Sequence, residues 1–459
     1  MRAILLLLAL SIVPSLKAGE LRIGAAAIKI TPPAGTPMAG YYHSRAADGV
    51  HDDLFAKALV LELGGTKAAL VALDLISTTR PIVEEARRLV EQTTGIPGGH
   101  VMISATHSHT GPILNPRGLR ESVLGGGTDL ARRYGEDLPG RIAEAVRQAD
   151  AALAPARAAA GRGHEDAIAF NRRFHMRDGS VGWNPGVLNP NIVQPAGPID
   201  PDVHVVYFEA ADKRPLATYV NHAVHLDMVG GAEVSADMPY TVSRLLAGFK
   251  GPEMVTLYTT GCSGDVNHIN VQWGQPQKGH VTAARTGTIL AAEVLRTWPR
   301  LEAVEAGRLS VASETVPLPL APIEPGGVEK ARAVVERLSG PAASRPKFLE
   351  QVEAFKVLDV VAREGRPLEV EVQVVALEDD IAWVSLPGEI FVELGLAIKR
   401  DSPFAHTIIA ELANGSIGYV PTRRAYGEGN YEVVSARCAE GSGEMLVEAA
   451  VRLLKGFED

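Results

Sequence analysis

Val101-Met102-Ile103-Ser104-Ala105-Thr106-His107-Ser108-His109-Thr110-Gly111-Pro112 opens as a strand and closes on a turn. Its first five residues are apolar or small and predict a buried strand, and Gly111-Pro112 stops it. Two histidines two residues apart share one face if the extended chain continues through them. Imidazole is the commonest zinc ligand near neutral pH, so a His pair at a strand end is a candidate start of a metal site.

The same construction recurs three times further along. The apolar run Leu216–His222 delivers Asn221-His222-Ala223-Val224-His225-Leu226-Asp227. In extended chain His222 and His225 fall on opposite faces, so only one of them faces a shared site. The run Ile381–Leu386 breaks at Pro387-Gly388 and presents Glu389. The run His406–Leu412 leads to Asn414-Gly415-Ser416-Ile417-Gly418-Tyr419, with Tyr431 twelve residues on. Each candidate sits just past the C-terminal end of an apolar strand, where α/β sheets place their ligands. Two histidines and a carboxylate can hold Zn²⁺ and leave a position for water.

Around these stretches, apolar runs alternate with segments of helical periodicity. Strands are also predicted over Lys57–Leu63, Ala68–Leu75, Val203–Glu209, Met254–Thr259 and Leu368–Leu377. Helices are predicted over Arg80–Thr93, Leu138–Ala152, Ala236–Phe249, Ala283–Thr297, Val328–Leu338, Lys347–Arg363, Ile390–Arg400 and Gly443–Lys455. Ser235 or Asp237 starts the third of these and Ser442 the last. The alternation argues for an α/β fold of mixed β-sheets layered with helices. Residues 115–134 and 177–201 read as long loops, and the Pro-rich stretch 317–327 as a connector or subdomain boundary.

Composition narrows the function. The chain has 459 residues, 46% apolar and 22% charged, with a net charge of −9 spread along its length and no Lys/Arg-rich run. That composition is globular and excludes a nucleic-acid partner. With only Cys262 and Cys438 present, a four-cysteine zinc site is impossible, and any metal is held by His, carboxylate or Tyr. Arg2, the apolar run Ala3–Val13 and a small residue at Ala18 read as a signal peptide over residues 1–18, predicting export to a periplasm or the medium. No later segment is apolar for long enough to cross a bilayer, so no transmembrane segment is expected in the mature chain.

On these motifs the sequence resembles the neutral/alkaline (non-lysosomal) ceramidase family. The resemblance is carried by His107-Ser-His109-Thr-Gly-Pro112, Asn171-Arg172, Asn221–His225, Pro387-Gly388-Glu389, and the pair Tyr419 and Tyr431. The opening Ile23–Pro33 stretch adds to it. It implies one catalytic domain over residues 19–459 without the β-sandwich domain that accompanies ceramidases. It also implies Zn²⁺ held by His107, His225, Glu389 and Tyr419, and hydrolysis of an acyl linkage, most simply the amide of a small-molecule or lipid N-acyl substrate. His109 would move a proton, and Arg172 and Tyr431 would bind substrate or the developing oxyanion. One departure stands out: where the family reads GDVSPN, this chain has Gly264-Asp265-Val266-Asn267-His268-Ile269. Asn267 replaces a serine and cannot act as a nucleophile. That change points away from ceramide, toward another acylated amide or ester, or toward a relative that binds without catalysis. Cys262 and Cys438 flank the motif loops, and whether they pair in a disulfide or stay free is left open by the sequence.

Overall fold

The computed structural model describes residues 19–115, 117–338 and 345–457. The expected signal peptide, residues 1–18, lies outside the described residues.

Two sheets lie face to face. The larger has nine strands. Across it run Val255–Thr260, Pro215–His222, Asp202–Ala210, Ala154–His164, Arg22–Lys29, Phe55–Leu63, Thr66–Leu73 and Val101–Ala105, with Glu302–Val304 also paired to Ala154–His164. Most neighbours are antiparallel, and the two edge pairs are parallel. Phe55–Leu63 and Thr66–Leu73 form a hairpin through Gly64-Gly65, whose φ values of 60° and 86° suit a two-residue turn that only glycine pairs adopt freely. The smaller sheet orders Leu309–Leu318, Leu368–Leu377, Ile381–Ser385 and His406–Ala410.

Between the sheets, Leu59, Leu61, Leu70, Phe208, Tyr219 and Leu257 of the first pack on Trp383, Leu377 and Ile408 of the second. Helices cover the outer faces. Arg80–Thr94 and Asp129–Ala151 cover one half of the large sheet, and Met238–Lys250 and His280–Thr297 the other. Val392–Asp401 and Ser442–Lys455 cover the small sheet. The mixed α/β layering is therefore as the alternation predicts.

The sequence reading misses two central strands, Arg22–Lys29 and Ala154–His164 (RIGAAAIK and APARAAAGRGH). Their small residues are there because a helix lies close against the sheet: a Cβ at Gly24 would collide with the carbonyl of Ala149 on helix Asp129–Ala151. The expected loop 115–134 instead contains helix Leu119–Val123 and the first turn of Asp129–Ala151, capped by Thr128. The loop 177–201 carries two short strands, Val181–Trp183 and Ile192–Pro195. Asp237 caps its helix as expected, but the last helix is entered through Gly441, with Ser442 its first residue.

The sheets are sewn together at their C-terminal ends. Asn221 donates to the carbonyls of Thr259 and Ile409 (3.1 and 2.9 Å), tying large sheet to small. Asn414, in a left-handed conformation (φ 57°), accepts from Ile103 N at 2.9 Å and donates to Gln373 at 2.9 Å. These two amides tie five strands together at one place.

Candidate metal centre

The strand Val101–Ala105 stops before the histidines rather than running through them. His107 adopts a left-handed backbone, φ 74°, which is uncommon for a non-glycine residue and marks a constrained position. Its N–H donates to Leu75 O at 2.8 Å, and its ring Nδ1 donates to the carbonyl of Ile76 at 2.7 Å. A carbonyl only accepts, so the proton sits on Nδ1 and Nε2 presents a lone pair. His107 and His109 do converge, but through this turn and not by sharing a strand face.

His225 arrives from the bend after Pro215–His222. Its Nε2 lies 3.0 Å from Nε2 of His107, and Nε2 of His109 lies 3.3 Å from the same atom. Ligand atoms of these three buried histidines all fall within 4.8 Å of one another, so the group could hold a metal ion. Glu389 Oε2 completes the cluster, 3.5 Å from His107 Nε2 and 4.0 Å from His225 Nδ1. Burial holds the His225 imidazole well below its ordinary pKa and pushes His109 down to about 3, so both are neutral and keep a lone pair. His225 Nδ1, His109 Nδ1 and Glu389 Oε2 are buried without a hydrogen-bond partner. Facing lone pairs beside an orphaned carboxylate oxygen fit a divalent cation in their midst, because buried acceptors left without donors are costly.

Tyr419 pairs with Glu389 in a short parallel ladder, and its phenol hydrogen-bonds the Glu389 carboxylate. Burial first, then the charges of Glu389 and Tyr431, raise the Tyr419 phenol well above its usual pKa. The Gly264–Asn267 loop braces this side. A Cβ at Gly264 would lie 2.5 Å from the carbonyl oxygen of Glu389, and Gly264 N donates to Ile390 O at 2.8 Å. Asp265 accepts from Val392 N (2.8 Å) and Asn171 (2.9 Å), and burial lifts its carboxyl to about 6. Glu411, fully buried, accepts from Ser263 at 2.6 Å and from Ile390 N at 2.8 Å.

Behind His109 stands Asp227, its Oδ1 3.6 Å from His109 Nδ1. Tyr41 and Lys278 donate to the same carboxylate at 2.5 and 2.6 Å. Burial opposes ionisation there, but His109 and Lys278 outweigh it and hold the pKa well below the carboxylate range. Beside the histidines opens a cavity of about 640 Å³, lined by His107, Glu389, Tyr419 and Tyr431 among others.

No protein-family model matches the sequence, and no curated protein matches it. Solved structures do. The crystal structure of neutral ceramidase from Pseudomonas aeruginosa superposes with a TM-score of 0.72 at 20% identity, over 95% of this chain and 75% of that one. A ceramidase complexed with C2 gives 0.72 at 19% identity, over 95% and 76%. This is the neutral ceramidase fold.

Within the neutral ceramidase fold the remaining candidates fall as follows. Tyr431 lines the cavity and stacks among Trp183 (4.4 Å), Phe348 (5.4 Å) and Tyr419 (5.3 Å). Arg172 is buried, with its guanidinium given to Glu432 (2.9 Å) and Gly264 O (2.7 Å) and lying 5.4 Å over the Tyr419 ring. Burial works against its charge, but Tyr419 and Glu432 raise its pKa overall. Asn267 bridges to His225 through the backbone, while its side chain donates to Asn184 and accepts from Ile269 N, both at 3.0 Å. His222 turns away and donates to Asp202 O at 3.0 Å, leaving His225 as the site histidine of that pair. Asp74 is a buried structural partner of Phe55 N and Lys57. Cys262 and Cys438 are both free and buried, so the pairing that the sequence left open is not made. Each is packed in the small-sheet core, Cys262 beside Gly395 and Cys438 against Tyr426. The sequence reading assigned no role to Tyr41, Asp227, Lys278, Glu411 or Glu432.

Proposed function

We propose that this chain is an exported zinc-dependent hydrolase that cleaves an acyl linkage, an amide in the first instance. The observation that carries the reading is the convergence of His107, His109 and His225 on one another, with Glu389 beside His107 and His225 and with ring nitrogens and a carboxylate oxygen left unpartnered. His107, His225, Glu389 and Tyr419 would hold the ion. When bound, zinc supplies Lewis-acid polarisation of an acyl carbonyl and eases ionisation of water.

The chain's own residues supply the rest. Asp227 faces Nδ1 of His109 and is itself held by Tyr41 and Lys278, so it orients the ring with Nε2 toward the cluster. His109 would take a proton from the attacking water and return it to the leaving nitrogen. Tyr431, on the cavity wall, would donate its hydroxyl to the oxygen that gains charge. Arg172, spent on Glu432 and Gly264 O, would act by holding Tyr419 and the Gly264 loop in place. Asn267 uses its side chain on Asn184 and Ile269 N, which favours attack by water over attack by a protein nucleophile at this position.

The relatives in structure are ceramidases, and ceramide heads the substrate panel for that reason. A second reading, an acylated small molecule other than ceramide, is favoured by the Asn267 substitution. Metal analysis of the purified protein, paired with hydrolysis of ceramide, short N-acyl amides and esters, tests the proposal. About one zinc per chain, with turnover lost in His107→Ala, is the expected outcome. Metal retained with no substrate cleaved would replace the hydrolase by a binding protein.

A further inference from the structure

The charges around the cavity are unbalanced. Arg120 is neutralised by Glu121 (2.8 Å) and Arg437 by Asp359 (2.9 Å). Glu389 belongs to the histidine cluster. That leaves Arg363 and Arg366, both lining the cavity just past helix Phe348–Val361. Arg363 bonds only backbone carbonyls, those of Arg366 (3.2 Å) and Pro367 (2.7 Å), and has no carboxylate partner among the described residues. Arg366 is exposed at the cavity rim (73%), bonds Arg363 O at 3.1 Å and stands 3.9 Å from Glu364, itself 82% exposed. A protein of net charge −9 thus turns an excess of guanidinium toward a cavity that His107 of the histidine cluster also lines. Its volume of about 640 Å³ is that of a small-molecule pocket, ~300–1,000 Å³ in general. Two backbone bonds hold the Arg363 guanidinium in place without discharging it, the condition under which a planar fork selects an oxyanion, and Arg366 adds a solvent-exposed positive charge at the rim.

We infer that the cavity selects an acylated substrate bearing an oxyanion, a carboxylate or a phosphate ester, and that Arg363 and Arg366 receive that group while the acyl linkage faces the histidine cluster. This inference rests on the hydrolase reading for its linkage and on the arginines for its charge. The two parts separate experimentally.

Two matched substrate pairs distinguish the sources of charge: N-octanoylglycine against its methylamide, and N-octanoyl-phosphoethanolamine against N-octanoylethanolamine. The expected result is a kcat/KM at least tenfold higher for the anionic member of one pair, and that pair identifies the group as carboxylate or phosphate. The ratio should fall to near one in the Arg363→Ala/Arg366→Ala double variant, chiefly through KM. It should survive largely in Arg363→Lys/Arg366→Lys and shrink with added salt. A merely structural role for the turn would lower both members of a pair together and leave the ratio alone. Neutral substrates cleaved as well as anionic ones would overturn the inference and leave the hydrolase standing. If nothing is cleaved, calorimetric binding of N-octanoylglycine and N-octanoyl-phosphoethanolamine decides. Binding of either that the double variant weakens tenfold keeps the anion site and removes the hydrolase; arginine-independent binding, or none, removes both.

Discussion

Among the described residues, two groups of three buried or half-buried histidines stand in contrast, and they differ in what their ring nitrogens face. In the first, His107, His109 and His225 point Nε2 atoms at one another across 3.0 and 3.3 Å, beside an unpartnered Glu389 oxygen. In the second, His204 and His222 stand beside Asp202 and Asp200 with His406 edge-on to His204, but those carboxylates are already paired to Lys399 at 3.2 and 2.6 Å. His222 spends Nδ1 on Asp202 O, and the His204 and His406 rings stand 6.3 Å apart. His222 and His225 are three residues apart in sequence, yet each belongs to a different group. Among the described residues only the first group brings three donor atoms within 4.8 Å. What separates a candidate metal centre from a polar patch in a core is therefore convergence of free lone pairs, with the cation's place not already taken by a lysine.

The sharpest way to break this contrast is to truncate one histidine from each group. If the proposed zinc hydrolase is right, His107→Ala should lose stoichiometric zinc and at least ~10³-fold in kcat/KM, because the ion would then carry the largest share of the chemistry. His222→Ala should keep its zinc; equal metal loss in both variants, measured by elemental analysis, would erase the distinction. Asp227→Asn should lower kcat roughly 10²-fold while zinc content stays at the wild-type value, since it disturbs only the orientation and proton affinity of His109. Zinc loss in that variant would make Asp227 part of the metal site instead.

Gly264→Ala forces a Cβ against the Glu389 carbonyl and should cost roughly 1–3 kcal/mol of stability with weakened zinc retention, read by thermal melting with and without chelator. An unchanged melt would mean the loop shifts freely. The smallest effect concerns the second group. Burial, and to a lesser degree Lys399, depress the His204 pKa well below 6.5. The unfolded chain takes up that proton as pH falls through about 6.5 while the folded chain does not, so stability is lost on acidification. His204→Leu should remain within about 1.5 kcal/mol of wild type at pH 7 and show a flatter stability decline from pH 7 to 5. A steeper decline would put the titration elsewhere.

Much of this was legible in the sequence, and the parts that were not share a cause. Apolar strands such as Leu368–Leu377 and amphipathic helices such as Arg80–Thr94 announce themselves because one side or both sides are buried. Arg22–Lys29 and Ala154–His164 did not, since sheet centres pressed by a close helix use Ala and Gly, which carry little β signal. His107, His109, His225 and Glu389 were readable as strand-end polar residues after apolar runs. The left-handed turn at His107 was not, because nothing local requires it; it is imposed by Leu75 and Ile76 from a neighbouring strand end. Asp227, Glu411 and Glu432 act through partners far along the chain, and a lone carboxylate has no local signature. The cysteines stayed undecided for the same reason: the order of motifs in the sequence says nothing about where two sulfurs pack.

The Asn414 stitch has a bearing on how the chain comes to be built. It joins Ile103 to a residue 311 positions later, and Arg172 meets Glu432 across 260. Contacts of such span are slow to form, because a long loop must close before it is rewarded. The histidines are therefore synthesised long before the carboxylate and phenol that complete their surroundings. A nascent chain emerging in order carries an incomplete site until Glu389, Tyr419 and Glu432 have left the ribosome.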